Sequence, residues 1–334
     1  MKTVETKKEA LTKITDISEK NSEKTRSADK GLSVENALNT SKSLKTTDKD
    51  AVKKGICLRP DDAHKGTMGS LLSICGSYSM AGAAIMSGKS ALRCGLGLLK
   101  TAVVKSVYPI VAQCILESVF FPLEETDDGK ISRNNIPFLL EQAEKSSAVL
   151  IGCGISVCDD TRELAEQFIK NCTKPMILDA DALNCISNKT DILKSANAPI
   201  IITPHPAEMG RLVGVSAKEI NADRQNYAED FSKKHNVITV LKGKGTIISS
   251  PKGESYINPT GNSGMATGGS GDVLAGIISS LVAQGKPPFE CAVSGVYLHG
   301  LAGDIAKRKF GAISMLPTDI IDCINLAYKE CGFE

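Results

Sequence analysis

From about Ile56 onward, short aliphatic runs alternate with stretches spaced for helices, and this alternation restricts the fold more than any other feature of the chain. Runs at 71–75, 98–104, 148–151, 176–179, 200–203, 237–241 and 246–249 are continuous or nearly continuous apolar segments of strand length. Between several of them lie helical patterns, at 81–94, 161–170 and 222–234. Strands that are apolar on both faces and separated by helices pair in parallel, with helices covering both sides of the sheet, so an α/β class is expected. The stretch 243–257 reads as a β-hairpin turning at Pro251-Lys252-Gly253. No repeat of 20 to 50 residues is visible, and the segment 55–334 is expected to be one domain.

Residues 1–54 are of another kind. They are rich in Lys, Thr, Ser, Glu and Asp and contain no Phe, Tyr or Cys. Such a segment buries too little apolar surface to offset its ordering entropy, so a disordered polar tail is expected. The whole chain carries a formal charge of only +2, with 4% aromatic residues and no Trp, which argues against nucleic acid as a partner. No apolar run approaches the roughly 18 to 20 residues of a membrane span, and no secretory signal is seen near Met1. Eleven cysteines are scattered without a C-x-x-C pair, which suits small buried hydrophobes in a reducing cytoplasm better than disulfides or zinc sites.

The most informative string runs from Asn258 to Asp272 and leads directly into an apolar helix, with aliphatic pairs at 273/274, 277/278 and 281/282. That spacing seats the helix in the core and fixes its N-terminus, with the turn Gly269-Ser270-Gly271-Asp272 just ahead. The first N–H groups of a helix have no internal partners, and glycine lets a phosphate come close to them. Asp272 would repel that phosphate. It is either an ordinary helix cap or a general base beside a transferred phosphoryl group.

Gly269-Ser270-Gly271-Asp272 before an aliphatic helix is similar to the anion-hole motif of ribokinase-like kinases. The longer string Asn258-Pro259-Thr260-Gly261-Asn262-Ser263-Gly264-Met265-Ala266-Thr267-Gly268-Gly269-Ser270-Gly271-Asp272-Val273-Leu274-Ala275-Gly276 resembles the NAD(P)H-hydrate dehydratase branch of that superfamily. Further stretches agree in order: His64 to Gly69, Gly76 to Ala84, Leu178 to Asn184, Thr203 to Met209 and Leu241 to Thr246. The resemblance covers about residues 58 to 330. Three positions depart from the pattern: Ser263 and Ser270 stand where Pro and Thr are expected, and Cys153 stands where Pro is usual.

The resemblance implies a ribokinase-like three-layer α/β/α fold around a mainly parallel sheet, with the ligand cleft at the carboxyl ends of the strands. It makes Ala83, Gly154, His205 and Asp272 contacts to the hydrated nicotinamide substrate. It makes Lys242, Gly243, Lys244, Gly245, Thr246 and Gly271 the nucleotide-binding segment. Each has a plain structural alternative: helix packing for Ala83, a tight turn for Gly154, a solvated loop lysine for Lys242. Asp179, Asp181 and Glu208 could orient metal-bound water, or serve as caps and loop ties.

The implied reaction is nucleotide-driven dehydration. NADHX or NADPHX is phosphorylated on its C6 hydroxyl from ADP or ATP with Mg2+, ADP being favoured, and phosphate then leaves. Asp272 would accept the hydroxyl proton and the Gly271 amide would hold the moving phosphoryl. An ordinary small-molecule kinase of a thiazole or pyrimidine alcohol shares the Gly-Asp turn. A non-catalytic nucleotide-binding regulator would be better served without Asp272. A homo-oligomer, a cytoplasmic location, no membrane contact, and functional pairing with a separate NAD(P)H-hydrate epimerase are also expected.

Overall fold

The computed structural model describes residues 44–333. Among them, ten strands form one sheet, in the order β1-β10-β9-β8-β7-β6-β5-β2-β3-β4. The strands are β1 (Lys45–Thr46), β2 (Ser70–Ile74), β3 (Leu98–Val104), β4 (Ser118–Leu123), β5 (Ala148–Ile151), β6 (Met176–Leu178), β7 (Ile200–Ile202), β8 (Ile238–Leu241), β9 (Ile247–Ser249) and β10 (Ser255–Ile257). From β4 through β8 every pairing is parallel; β9 and β10 then add antiparallel, as the expected hairpin. Leu71 lies opposite both Leu99 and Ala148, and the side chains of Leu71, Leu72, Ile74, Leu99, Leu150 and Ile151 are fully buried. Strands covered on both faces explain why these segments show no polar alternation.

Helices α1 (Lys49–Lys54), α2 (Ala81–Arg93), α3 (Tyr108–Cys114), α4 (Ile136–Glu144), α5 (Asp159–Asn171), α6 (Asp181–Ile186), α7 (Pro206–Val213), α8 (Ala217–Ala222), α9 (Arg224–His235), α10 (Ser270–Ala283), α11 (Pro288–Ser314) and α12 (Pro317–Glu330) flank the sheet. Helix α11 is interrupted at Gly311, where φ is 77°. The tightest helix pair is α10 on α2: a Cβ at Gly276 would collide with the Ser87 carbonyl and the Ser90 hydroxyl, so only glycine permits this approach. Among the described residues no helix is long and apolar enough to cross a membrane.

Two features depart from expectation. Residues 45–54, assigned by composition to the tail, form β1 and α1. Asp48 caps α1 by accepting from the Ala51 amide at 2.8 Å, and Ala51 and Val52 are buried. The Ser294 hydroxyl on α11 donates to the Val52 carbonyl at 2.7 Å. Two buried apolar residues and one buried hydrogen bond to α11 suffice to order a polar segment that has no local hydrophobic pattern. The rest of the expected tail, 1–43, lies outside the described residues. The second departure is β4, which the sequence reading leaves out. Its run Ser-Val-Phe-Phe-Pro-Leu contains Pro122, which a strand tolerates at a sheet edge, and β4 is an edge.

The eleven cysteines are all unpaired, and eight of them are buried. That is the small-hydrophobe use expected of them.

Candidate active site

The order in which strands are added reverses between β2 and β5, the point at which an open α/β sheet leaves a crevice beyond its strand ends. The loops leaving β2, β5, β6, β7 and β8 all open there, tied to one another by backbone bonds just past the strands. Gly76 N donates to Cys153 O at 2.8 Å, Asp179 N to Ile151 O at 3.1 Å, Thr203 N to Leu178 O at 3.2 Å and Lys242 N to Pro204 O at 2.9 Å. Helix α10 points its N-terminus into this rim.

The helix cap is Gly269, in a left-handed conformation (φ 100°), so Asp272 is not the cap and makes no capping bond. Its carboxylate faces the cleft floor, near Cys153 and Asp179. Its pKa is pushed up to about 6, by burial first and by the neighbouring negative charge of Asp179 second; the nearby Cys153 thiol and the Lys242 charge act against the rise. A carboxyl tuned to that range is suited to taking a proton near neutral pH.

Lys242 reaches from the end of β8 to the same place. Its ammonium donates to Asp179 Oδ1 at 2.8 Å, lies 3.7 Å from Glu208 Oε2, and sits 3.4 Å from where a Cβ on Gly271 would be. Burial works against its charge, but Asp179 and Glu208 outweigh that and hold its pKa above the ordinary value. Asp179 is buried and also accepts from the Thr203 hydroxyl at 2.6 Å. A fixed cation thus stands over the first turn of α10, where the amides of Gly271 and Asp272 lack helical partners.

His205 caps α7. Its Nδ1 accepts from the amides of Ala207 (3.1 Å) and Glu208 (3.2 Å), and Glu208 Oε2 accepts from the His205 amide at 2.8 Å. With Nδ1 an acceptor, the ring proton is on Nε2. Burial lowers the pKa, so near pH 7 the ring is a neutral donor through its half-exposed edge. Glu208 therefore ties the His205 and Lys242 loops into one unit.

Gly154 lies beside Ala83. It has φ 67°, and a Cβ on it would stand 2.8 Å from Ala83 Cβ and 2.9 Å from Met80 Cβ. Gly154→Ala should cost roughly 1–2 kcal/mol for the left-handed backbone alone, read as a lower unfolding midpoint. A midpoint equal to that of the wild type would show that the loop relaxes freely.

The structure therefore brings Ala83, Gly154, Asp179, His205, Glu208, Lys242, Gly271 and Asp272 to one rim. Asp181, half-buried, also ties the loop after β5: its Oδ2 accepts from the Ser156 amide at 2.9 Å and its Oδ1 from Asn184 at 3.3 Å, and its charge adds to the rise of the Asp272 pKa. Gly243 and Gly245 have positive φ, Thr246 Oγ1 donates to Gly243 O at 3.0 Å, and Lys244 is exposed. This loop is braced by Arg224, which donates to Lys244 O at 2.7 Å and Leu241 O at 2.8 Å. Sequence reasoning missed Arg224, and also Thr203, Cys153 and Asp304. Asp304 accepts from the Gly261 amide and the Asn262 side chain, both at 2.9 Å, and so pins the glycine string to α11. None of these four carries a local signal. A separate hollow of about 540 Å³ at the amino ends of the strands, lined by residues such as Gly66, Pro175, Pro199 and Gly285, presents mostly backbone and proline with no converging charge.

Comparison with known proteins agrees with this geometry. The profile of the NAD(P)H-hydrate dehydratase family matches residues 71–326. The bifunctional NAD(P)H-hydrate repair enzyme of Moorella thermoacetica is 40% identical over 272 residues, covering 81% of this chain and 51% of that protein. The chain thus spans about half the length of such bifunctional relatives. The ADP-dependent (S)-NAD(P)H-hydrate dehydratase of Neisseria meningitidis is 36% identical, covering 76% of this chain and 82% of that one. Among solved structures, the Bacillus subtilis ADP/ATP-dependent NAD(P)H-hydrate dehydratase, co-crystallised with ATP and Mg2+, superposes with a TM-score of 0.74 at 28% identity, covering 87% of this chain and 99% of that one. With the ribokinase-like sheet and these matches in agreement, the chain belongs to the NAD(P)H-hydrate dehydratase family.

Proposed function

We propose that the protein converts (6S)-NADHX and NADPHX to NADH and NADPH at the expense of ADP or ATP. The reading rests above all on the pairing of Asp272 with the N-terminus of α10. One rigid segment carries both the proton acceptor and the amides that grip a phosphoryl group. The C6 hydroxyl oxygen attacks the terminal phosphorus, its proton passes to Asp272, and the shortened nucleotide leaves. The C6–O bond then breaks as the ring nitrogen lone pair moves in, inorganic phosphate departs, and loss of a C5 proton restores the dihydronicotinamide. Lys242 and the Gly271 amide stabilise charge on the transferred group. Ala83 and Gly154 give a flat ring room to approach, and the Nε2–H of His205 offers it a donor. Gly243, Lys244, Gly245 and Thr246 cradle the nucleotide.

Magnesium, when bound with the nucleotide, supplies charge neutralisation at the phosphates. Asp179 and Glu208 present the hard oxygen donors it takes through water, and the excess of carboxylates over cations that helps raise the Asp272 pKa suits a cation there. We favour ADP over ATP on the names of the dehydratase relatives. We further propose that the folded unit acts as a homo-oligomer, that a separate NAD(P)H-hydrate epimerase converts the R hydrate to the S hydrate consumed here, and that the setting is the reducing cytoplasm its free thiols suit.

Purified protein with Mg2+ and each nucleotide in turn should restore the near-ultraviolet absorbance of NADH from NADHX. Phosphorylation of a thiazole or pyrimidine alcohol instead, with NADHX left untouched, would replace this reading with that of a kinase.

A further inference from the structure

The cleft floor holds a donor set in which Cys153, a thiol the phosphoryl chemistry does not use, stands beside two of that chemistry's carboxylates. Cys153 Sγ, one oxygen of Asp179 and one of Asp272 all lie within 4.8 Å of one another. Cys153 and Asp179 are buried, while Asp272 is partly open to the cleft. The Cys153 thiol donates to Asp179 Oδ2 at 3.5 Å, leaving Oδ1 to Lys242 and Thr203. A second buried thiol, Cys75, follows β2 and lies close enough to Cys153 to interact with it electrostatically.

The backbone holds this set in place. Cys153 lies between Gly152 (φ 126°) and Gly154 (φ 67°); a Cβ at Gly152 would collide with the Asp179 carbonyl, and one at Gly154 would crowd Ala83 and Met80. The backbone at Cys153 is therefore fixed, and its side chain is fully buried. The charge balance also favours a cation. Among the described residues Asp179 and Glu208 pair with a single ammonium, Lys242, and the Asp272 carboxylate stands beside Asp179. Mixed sulfur and carboxylate donors suit a borderline-soft ion, which binds thiolate at about 2.3 Å and carboxylate oxygen at about 2.0–2.2 Å. Magnesium prefers oxygen and would leave the thiol alone.

We propose that Cys153, Asp179 and Asp272 form a binding site for a thiophilic divalent cation of the zinc class, and that its occupancy switches the enzyme off. On binding, the S–H bond of Cys153 breaks, its proton passes to water, and a sulfur–metal bond forms with no change of oxidation state. The Asp272 carboxylate becomes a ligand and can no longer accept the substrate proton. The inhibitory half rests on the proposed function; the binding half does not.

The two halves are tested separately. Chelator-treated protein without nucleotide is titrated with Co2+, and the thiolate-to-cobalt charge-transfer band and tetrahedral visible absorption are recorded. Wild type should show both at a single equivalent. Cys153→Ala should lose the charge-transfer band, while Cys114→Ala, which removes an exposed thiol, should keep it. Zn2+ is then titrated against NADHX turnover, each variant being measured relative to its own zinc-free rate. Cys153→Ala should need about tenfold more zinc or higher for the same fractional inhibition, and a chelator should restore the wild type. Cys153→Ser repeats both measurements should the alanine variant fold poorly. No charge-transfer band in wild type, or an equal band and equal zinc sensitivity without Cys153, overturns the site. A Cys153-dependent band in a protein with no NADHX turnover under zinc-free conditions supports the site and overturns the dehydratase reading.

Discussion

Asp272→Asn should lose about 10²-fold or more in turnover, the scale of removing a general base, and yet unfold at a higher temperature than wild type near pH 7.5. The first half follows from the proposed proton transfer. The second follows from electrostatics alone. The folded state raises the Asp272 pKa from 3.8 to about 6, chiefly by burial. A carboxyl raised in this way contributes stability fully only below its unfolded value, and that contribution is lost as pH climbs from about 3.8 through 6. Above pH 6 the charged carboxylate is therefore a standing cost. A shift of about two units corresponds to about 3 kcal/mol, and screening at this partly open position reduces it to about 1–2 kcal/mol. Asparagine removes the charge and keeps the shape, so its melting temperature should rise by about 2–6 °C at pH 7.5 and match wild type near pH 4. The wild-type rate should also show an acid limb with its midpoint near pH 6. Unchanged turnover would remove Asp272 from the mechanism. A melting temperature below that of the wild type at pH 7.5 would show that its charge is fully compensated in the fold.

Lys242→Met has the larger structural effect. It strands Asp179, whose side chain is 2% exposed, and Glu208, at 5%, without their cation. Removing one partner of a buried pair costs about 3–5 kcal/mol. Because Lys242 itself is 18% exposed, the lower end of that range is expected, read as a drop in the urea midpoint. The loss should shrink as pH falls and the stranded carboxylates take up protons. The second substitution in Lys242→Met/Asp179→Asn separates structure from function. It should recover most of the stability while leaving nucleotide affinity as weak as in the single variant. If affinity returns together with stability, Lys242 serves the fold and not the phosphate.

How much of this was legible in the sequence depended on where each signal resides. Strand β5 is a continuous aliphatic run and β3 one broken only by Lys100 and Thr101, and their bounds, 148–151 and 98–104, are those read from the chain. The glycine string shows where α10 begins because its constraint is local: Gly269 must adopt positive φ. What stayed hidden depends on distant partners. β1 and α1 are ordered by contacts with β10 and α11, more than two hundred residues away, and nothing in their composition announces it. The joining of Cys153 to Asp272 is of the same kind, since 119 positions separate them and only the strand order brings them together. His205 was legible as a candidate through the family string Thr203 to Met209, but its capping bonds, which fix the tautomer, could be seen only once α7 was in place.

The seam between α10 and α2 has a mechanical corollary. Gly276 is the fulcrum on which α10 rests, about 8 Å along the axis from Gly271. A methyl group added there has no free volume to occupy, because α2 backbone already fills it. The helix would have to tilt, and its leading turn would swing the phosphoryl grip and the proton acceptor together. Gly276→Ala should thus weaken nucleotide affinity and slow turnover in parallel, although residue 276 lies a turn and a half from any ligand.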